Sequence, residues 1–456
     1  PLHLSPYIAR GEIGKARSLS KVKDPCRAQR GRVCDVTIPE SFSGFITVDN
    51  TLGKHMFFWF FPSQVKPDAP VSIWLNGGPG VTSMSGLFWE NGPLQPRRRK
   101  VMDAFIPEEF DIRNSSWSDA LSMLYIDNPV GAGYSYQERG NPEDLPTQAS
   151  YTEDLYQFVE QFYQLFPDLF AKELYIGGQS YAAKYVTSLA YRVHQAVKGG
   201  QTRLHLAGIY LGSPFFAPEV IIPAQAEFLY SMGAMTRTQA NRHRASMMAT
   251  IRRYTAPNKG LTGQQTRGTP STSAILEELF FKGLPSNDNY VSVQAVVPYA
   301  VIHRIMTSGR IRRAVHAGNL TFHAINYDLH DRMGQDYLLS TSDKLGALLD
   351  SGQYKVLIFN GDLDPVTSSG AVEDAVLQIP WMGMSDYASE PRRVWKWPAT
   401  PENLEVSSLF GFFTKSRDLC RVVVHRAGHQ VPHDQLAISR QMMEQFVNVG
   451  CVFTWP

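Results

Sequence analysis

Short, continuous apolar runs alternate with turn-forming clusters through the first half of the chain. Phe45–Val48 and Met56–Phe61 read as two strands joined by a turn at Asp49-Asn50-Thr51-Leu52-Gly53. Val71–Leu75, Ser122–Ile126, Glu173–Ile176 and Ala207–Leu211 are apolar without alternation, the pattern of strands covered on both faces. Between two of them, Leu155, Phe158, Val159, Phe162 and Phe166 recur at helical spacing and stop before Pro167. From about Pro218 to Leu345 this alternation fails. Runs rich in Met, Ala and Arg, such as Ala224–Tyr230 and Gln239–Tyr254, predict helices there, followed by a polar link at Thr255–Thr272. Strands then resume at Tyr354–Phe359 and Arg421–Val424, and Leu436, Met442, Met443 and Phe446 mark a closing helix. The expected architecture is α/β, a doubly wound and mostly parallel sheet with helices on both faces. Its expected parts are an arm over residues 1–44, a core formed by 45–217 and 346–456, and a helical cap inserted at 218–345.

Composition narrows the possibilities without deciding the function. The chain has 456 residues, 43% hydrophobic and 12% aromatic, enough for a substantial core. A net charge of +2 gives no reason to expect nucleic acid or an anionic membrane as partner. The run Arg97-Arg98-Arg99-Lys100 reads as a solvated loop, and no apolar run approaches the ~20 residues of a membrane span. The first fifteen residues lack the apolar stretch of a signal peptide, as in a mature or trimmed chain. Two sequons, at Asn114 and Asn319, fit a secretory route. Cys26, Cys34, Cys420 and Cys451 allow three pairings, of which Cys26–Cys34 and Cys420–Cys451 are favoured. None lies in a Cys-x-x-Cys, so disulfides rather than a metal are expected. The exposed link after Arg252-Arg253 is a candidate site of proteolytic nicking.

The chemistry centres on Gly178-Gln179-Ser180-Tyr181-Ala182, which follows an apolar strand and opens a helix. Small neighbours let a serine sit on a tight strand-to-helix turn, above the sheet edge and over a helix N-terminus. Serine needs a base, and the base needs a carboxylate to orient it. In an open α/β sheet such groups lie on loops after the strands. Asp364 follows one later strand and His429 the last, so the order Ser180…Asp364…His429 is that of an α/β-hydrolase. Asp362 is the rival acid; Asp364 is preferred because it lies further from the strand end, as an outward-reaching group should. His429 is preferred over His425 and His433 because it occupies the glycine-flanked loop between strand and helix. The glycine-rich Asn76-Gly77-Gly78-Pro79-Gly80 loop follows a core strand. Its Gly78 N–H, with that of Tyr181, is the expected oxyanion hole.

Four separated blocks, in this order, carry a resemblance. They are Trp74-Leu75-Asn76-Gly77-Gly78-Pro79-Gly80, the Ser180 elbow, Gly361-Asp362-Leu363-Asp364, and Ala427-Gly428-His429-Gln430-Val431-Pro432. Together they resemble the serine carboxypeptidase family, and Tyr125-Ile126-Asp127-Asn128-Pro129-Val130-Gly131 is similar to its vitellogenic-like branch. The resemblance implies a lysosomal or secreted exopeptidase that releases C-terminal residues through an acyl-enzyme, with no cofactor. It also implies that Asn76, the Gly77 N–H, Glu90 and the residue before the serine hold the substrate's terminal carboxylate. Trp89 and Gln430 would flank the pocket of the departing residue. Taken alone, Glu90 would read as an ordinary paired helix carboxylate.

Three positions depart from the family pattern. Gln179 stands where the family usually has Glu, Val81 where it usually has Cys, and Ala183 where Gly is common. Facing carboxylates bind a third only while sharing protons. Gln179 donates an amide N–H without needing one, so recognition should depend less steeply on pH. The rival readings are an esterase or acyltransferase on the same residues, and a non-catalytic protective or scaffold protein.

Overall fold

The computed structural model describes residues 1–23, 38–98, 105–140, 146–255, 288–292, 297–396 and 409–453. Cys26, Cys34, Arg99, Lys100 and nearly all of the Thr255–Thr272 link lie outside them. The strands are β1 (Phe42–Asp49), β2 (Lys54–Phe61), β3 (Val71–Leu75), β4 (Leu94–Arg98), β5 (Phe105–Ile112), β6 (Ser122–Ile126), β7 (Tyr136–Gln137), β8 (Leu174–Gln179), β9 (Leu206–Gly212), β10 (Lys355–Gly361), β11 (Arg393–Lys396), β12 (Leu409–Ser416) and β13 (Leu419–Val424). Eleven form one sheet in the order β1-β2-β6-β3-β8-β9-β10-β13-β12-β11, with β7 on β2. The pairs from β6 through β3, β8, β9 and β10 to β13 are parallel, and both flanks are antiparallel. The chain runs β3 to β6 in one direction and returns to place β8 on the other side of β3. This reversal is where open α/β sheets leave a crevice at the strand ends.

The core sits on both faces because the central strands have no polar face. In β2, Phe58 and Phe60 enter one apolar cluster, while Phe57, Trp59 and Phe61 enter the other. In β3, Ile73 and Leu75 face the first and Trp74 the second. Two helices cover the first face: α3 (Gln148–Leu165) buries Leu155, Phe158, Val159 and Phe162, and α4 (Ala182–Lys198) follows the elbow. Thr147 caps α3 through Ser150 N at 3.2 Å, which fixes where the helix starts.

Two elements differ from the sequence reading, and others follow it. The N-terminal arm, weakly patterned in sequence, carries two short helices, Ser5–Ala9 (α1) and Ile13–Ser20 (α2), with Ile8 and Ala16 buried. Arg97 is not in a solvated loop. It lies in a β4–β5 hairpin and pairs with Asp111 at 2.7 Å and Glu109 at 2.9 Å, which satisfies the charge that suggested solvent. Between β9 and β10 the described residues are largely helical, beginning with α5 (Pro218–Ser231) and α6 (Arg237–Thr255). Cys420 and Cys451 are joined, tying β13 to the chain after the closing helix Leu436–Val449. Among the described residues, no helix is long and apolar enough to cross a membrane.

Candidate active site

Ser180 follows β8 at the reversal point, and its main chain adopts φ 63°, a left-handed conformation that L residues rarely hold. Neighbouring strand ends pin it there: Ser180 N donates to Gly212 O at 2.9 Å, and Phe215 N to Ser180 O at 3.0 Å. The turn is possible because its neighbours are small. A Cβ on Gly77 would meet Tyr181 N at 2.7 Å, and one on Gly178 would meet Leu75 O at 2.7 Å. Ala182 and Ala183 fit with no exposed surface, so the methyl in place of the family glycine is accommodated.

Asp364 and His429 are brought together by two loops that interlock. Asp362 N donates to Val424 O at 3.1 Å and Leu363 N to Ala427 O at 2.8 Å, and a Cβ on Gly361 would lie 2.0 Å from Ala427 O. In this clasp Asp364 Oδ2 lies 2.9 Å from His429 Nδ1. Asp364 also accepts from Val366 N at 2.8 Å, Thr367 N at 3.0 Å and Thr367 Oγ1 at 2.9 Å. Burial opposes its ionisation, but His429 and the Thr367 donors outweigh that and hold it below the usual carboxylate range. His429 is shifted the other way. Burial disfavours its charge, yet Asp364, Asp288 and Glu90 together raise it above the ordinary histidine value. Asp364 is fully buried rather than outward-reaching, since four donors replace the water it would otherwise need.

The rivals have other partners. Asp362 pairs with His425 Nδ1 at 2.6 Å, part-exposed. His433 stacks on Trp89, ring centroids 3.9 Å apart, and its Nδ1 lies 3.2 Å from Trp89 O. Ser180 Oγ forms no hydrogen bond among the described residues, and neither do the N–H groups of Gly78 and Tyr181.

A second buried group lies at the end of β3. Asn76 accepts from Trp74 Nε1 at 2.9 Å and from Gly86 N at 3.0 Å. It donates through Nδ2 to Glu90 Oε1 at 2.6 Å. Glu90 sits on the π-helical turn Gly86–Glu90 and is 1% exposed, and its Oε2 has no hydrogen-bond partner among the described residues. Burial raises it to about 7 despite the Asn76 bond, so it is not an ordinary surface-paired helix carboxylate. Trp89 Nε1 donates to Gln430 Oε1 at 3.0 Å. Gln179 Nε2 donates to His429 O at 3.0 Å, which engages its amide within the site.

Some residues of this neighbourhood carried no role in the sequence reading. Asp288, from the segment between α6 and β10, accepts from His429 N at 2.5 Å through its main chain and lies 3.5 Å from Gln430 Nε2 through its side chain. Burial pushes its carboxyl up to about 6. A lone Asp in an unpatterned stretch gives no sequence signal. Asp127 does lie in the Tyr125–Gly131 block. It accepts from Thr82 Oγ1 at 2.6 Å, Ser83 N at 3.0 Å and Tyr134 N at 2.9 Å, so it anchors the chain just after the glycine loop. Asn114 and Asn319 are both exposed. No cluster of three or more metal-binding side chains occurs among the described residues.

The family model for serine carboxypeptidases, Peptidase S10, matches residues 35–449. The chain belongs to the serine carboxypeptidase family. It is 31% identical over 465 residues to the human probable serine carboxypeptidase CPVL, covering 98% of this chain and 89% of the relative. To the vitellogenic carboxypeptidase of Aedes aegypti it is 28% identical, with 98% and 90% covered. The crystal structure of Kex1(delta)p, a prohormone-processing carboxypeptidase from Saccharomyces cerevisiae, superposes with a TM-score of 0.75 at 18% identity. That superposition covers 95% of this chain and 96% of the other, and shows the α/β-hydrolase fold that the sequence order implied. The enzyme class follows from the family: this serine carboxypeptidase is a hydrolase.

Proposed function

We propose that this enzyme releases C-terminal amino acids from peptides by an acyl-enzyme route, with Ser180 as nucleophile, His429 as base and Asp364 as its orienting acid. The observation that carries this reading is the buried Asp364–His429 pair, bonded through the His429 carbonyl to Gln179, whose chain neighbour Ser180 is held in a left-handed turn. Nδ1 faces Asp364, which leaves Nε2 to take the Ser180 proton as Oγ attacks the scissile carbonyl. The Ser180–His429 contact then closes in the substrate complex, as such bonds often do. The N–H groups of Gly78 and Tyr181, without a hydrogen bond among the described residues, receive the oxyanion, each worth ~3 kcal/mol in the transition state. His429 returns the proton to the leaving amine, and water repeats the sequence to free the acyl group.

Exopeptidase action needs a group that recognises the free carboxylate. Glu90, buried and raised to about 7, keeps its proton at acidic pH, and its Oε2 has no hydrogen-bond partner among the described residues. A protonated Glu90 donates to the substrate carboxylate, with Asn76 and the Gly77 N–H beside it and Gln179 contributing from the elbow. Trp89 and Gln430, already bonded to each other, wall the departing side chain. The described helices within 218–345, such as α5 and α6, act as a cap over this end of the sheet. A secretory, lysosomal or extracellular setting is supported by the Cys420–Cys451 disulfide and by the exposed sequons at Asn114 and Asn319.

Mass spectrometry of an N-terminally blocked peptide, digested by wild type and by Ser180→Ala, tests the reading. A ladder shortened one residue at a time from the C-terminus is expected with wild type alone. Cleavage of esters without release of amino acids would replace it by the esterase or acyltransferase reading. No labelling of Ser180 by a fluorophosphonate would replace it by the non-catalytic one.

A further inference from the structure

The reaction above does not use a buried lysine one helical turn past Ser180, nor a buried carboxyl group brought near it by the segment Gly334–Tyr337. Lys184 has no exposed surface, and its Nζ donates to the main-chain carbonyls of Asp336 at 2.7 Å and Tyr337 at 2.8 Å. The ammonium also lies 4.8 Å from the centroid of the Tyr181 ring and 5.6 Å from that of Phe215. Asp336, on the short helix Gly334–Tyr337, is 6% exposed. Its Oδ2 accepts a hydrogen bond from the Tyr181 hydroxyl and a longer one, 3.5 Å, from Tyr151 on α3. Its Oδ1 has no hydrogen-bond partner among the described residues. Tyr337 stacks on Tyr181 with ring centroids 5.7 Å apart, and Phe215 packs on Tyr337 at 4.7 Å.

Such an arrangement adds little to stability alone, because taking an ammonium and a carboxyl out of water costs about as much as their attraction returns. Well-packed apolar residues would fill the space as well. What the polar groups add is direction. Tyr181 has two ends: its main-chain N–H lies at the elbow, next to Gly77, and its ring and hydroxyl lie in this network. Fixing the hydroxyl on Asp336, with Tyr337 stacked on the ring and the Lys184 ammonium near both rings, leaves the Cα–Cβ bond of Tyr181 little freedom to rotate. An oxyanion donor is effective only if already aimed where the charge develops.

We propose that Asp336 is a positioning residue for the oxyanion hole: through the Tyr181 hydroxyl, with its own main chain held by Lys184, it aims the Tyr181 N–H at the reacting carbonyl. This rests on the reading of Tyr181 as an oxyanion donor. Burial pushes Lys184 down to about 7, against the pull of Asp336 and Glu219 and with Lys344 adding to the shift, so its charge depends on this same carboxyl group. The segment 334–337 thereby reaches the reaction from the stretch between β9 and β10, without touching substrate.

The test compares wild type, Tyr181→Phe, Asp336→Asn and the double variant on a blocked peptide. Tyr181→Phe keeps the ring and removes only the hydroxyl, so it carries the test even if Asp336→Asn folds poorly. Each single variant should lower kcat by roughly tenfold to a hundredfold, with KM changed less than about twofold. The double variant should be no worse than the poorer single one, because both cut the same link. A peptidyl aldehyde, whose adduct with Ser180 carries an oxyanion, should bind more weakly by the same factor, while the cleaved product binds unchanged. A merely structural role would move melting temperature without this split. Unaltered kcat and aldehyde affinity in Tyr181→Phe, with Ser180 still labelled by a fluorophosphonate, would overturn this proposal and leave the serine reading intact. Absence of that label in wild type would overturn both.

Discussion

Gln179→Glu changes one buried atom from a donor to an acceptor, and the structure shows what that atom touches. The amide Nε2 donates to the carbonyl of His429 at 3.0 Å, in a position 5% exposed. An ionised carboxylate introduced there would place oxygen against oxygen, leaving the carbonyl without its donor. Protonating that carboxylate restores the bond. Leaving such a buried pair unsatisfied costs about 1–3 kcal/mol, which corresponds to a folded-state pKa for the introduced group roughly 1–2 pH units above its unfolded value of about 4.3. The sign follows from that direction. A carboxyl raised in the folded state contributes its stability fully below the unfolded pKa and loses it as pH rises through the folded value. Wild type has nothing that titrates at this position. The variant should therefore match wild type in Tm near pH 4 and fall behind it by a few degrees towards neutrality. The carbonyl belongs to the base itself, so kcat/KM should fall with it, by on the order of tenfold relative to wild type between acidic and neutral pH. The assay is kcat/KM on a blocked peptide and Tm by calorimetry, both enzymes from about pH 4 to 8. Superimposed profiles, or a variant less sensitive to pH than wild type, would rule out this role for the amide.

Wild type should lose kcat/KM on the alkaline side as Glu90, which burial holds up to about 7, gives up its proton, and Glu90→Gln should flatten that limb; a limb of unchanged position in the variant would assign it to another group. The double change Cys420→Ser and Cys451→Ser opens a link spanning 31 residues and should cost roughly 3–4 kcal/mol by loop entropy. Denaturant titration measures it, and an unchanged midpoint would mean that packing around Phe446 and Val447 already holds this end of the chain.

How much was legible in the sequence depended on whether a signal was local. Val71–Leu75 and Ser122–Ile126 are buried on both faces, so unbroken apolar runs between turn residues marked both strands with the right ends. Ser180, Asp364 and His429 stood out because each follows such a strand in a short loop rich in Gly, Asp or Asn. The β4–β5 hairpin was missed because Pro96 and the arginines read as loop, and β11–β12 because outward residues such as Val394 and Phe412 break the alternation. Asp288 and Asp336 had no local signal at all. Their meaning lies in partners more than a hundred residues away, His429 and Tyr181, and no periodicity encodes such a meeting.

The left-handed turn at Ser180 also sets a direction for change over evolutionary time. Holding a serine at φ 63° costs roughly 1–2 kcal/mol that glycine would not incur. A Ser180→Gly protein should therefore be inert yet melt higher than the active enzyme, as calorimetry on the two can show. A copy of this gene released from selection for peptidase activity would meet no stability barrier to losing its nucleophile, and would gain robustness by doing so. Non-catalytic members of such a lineage would then be expected to arise readily, with the sheet and both cores intact.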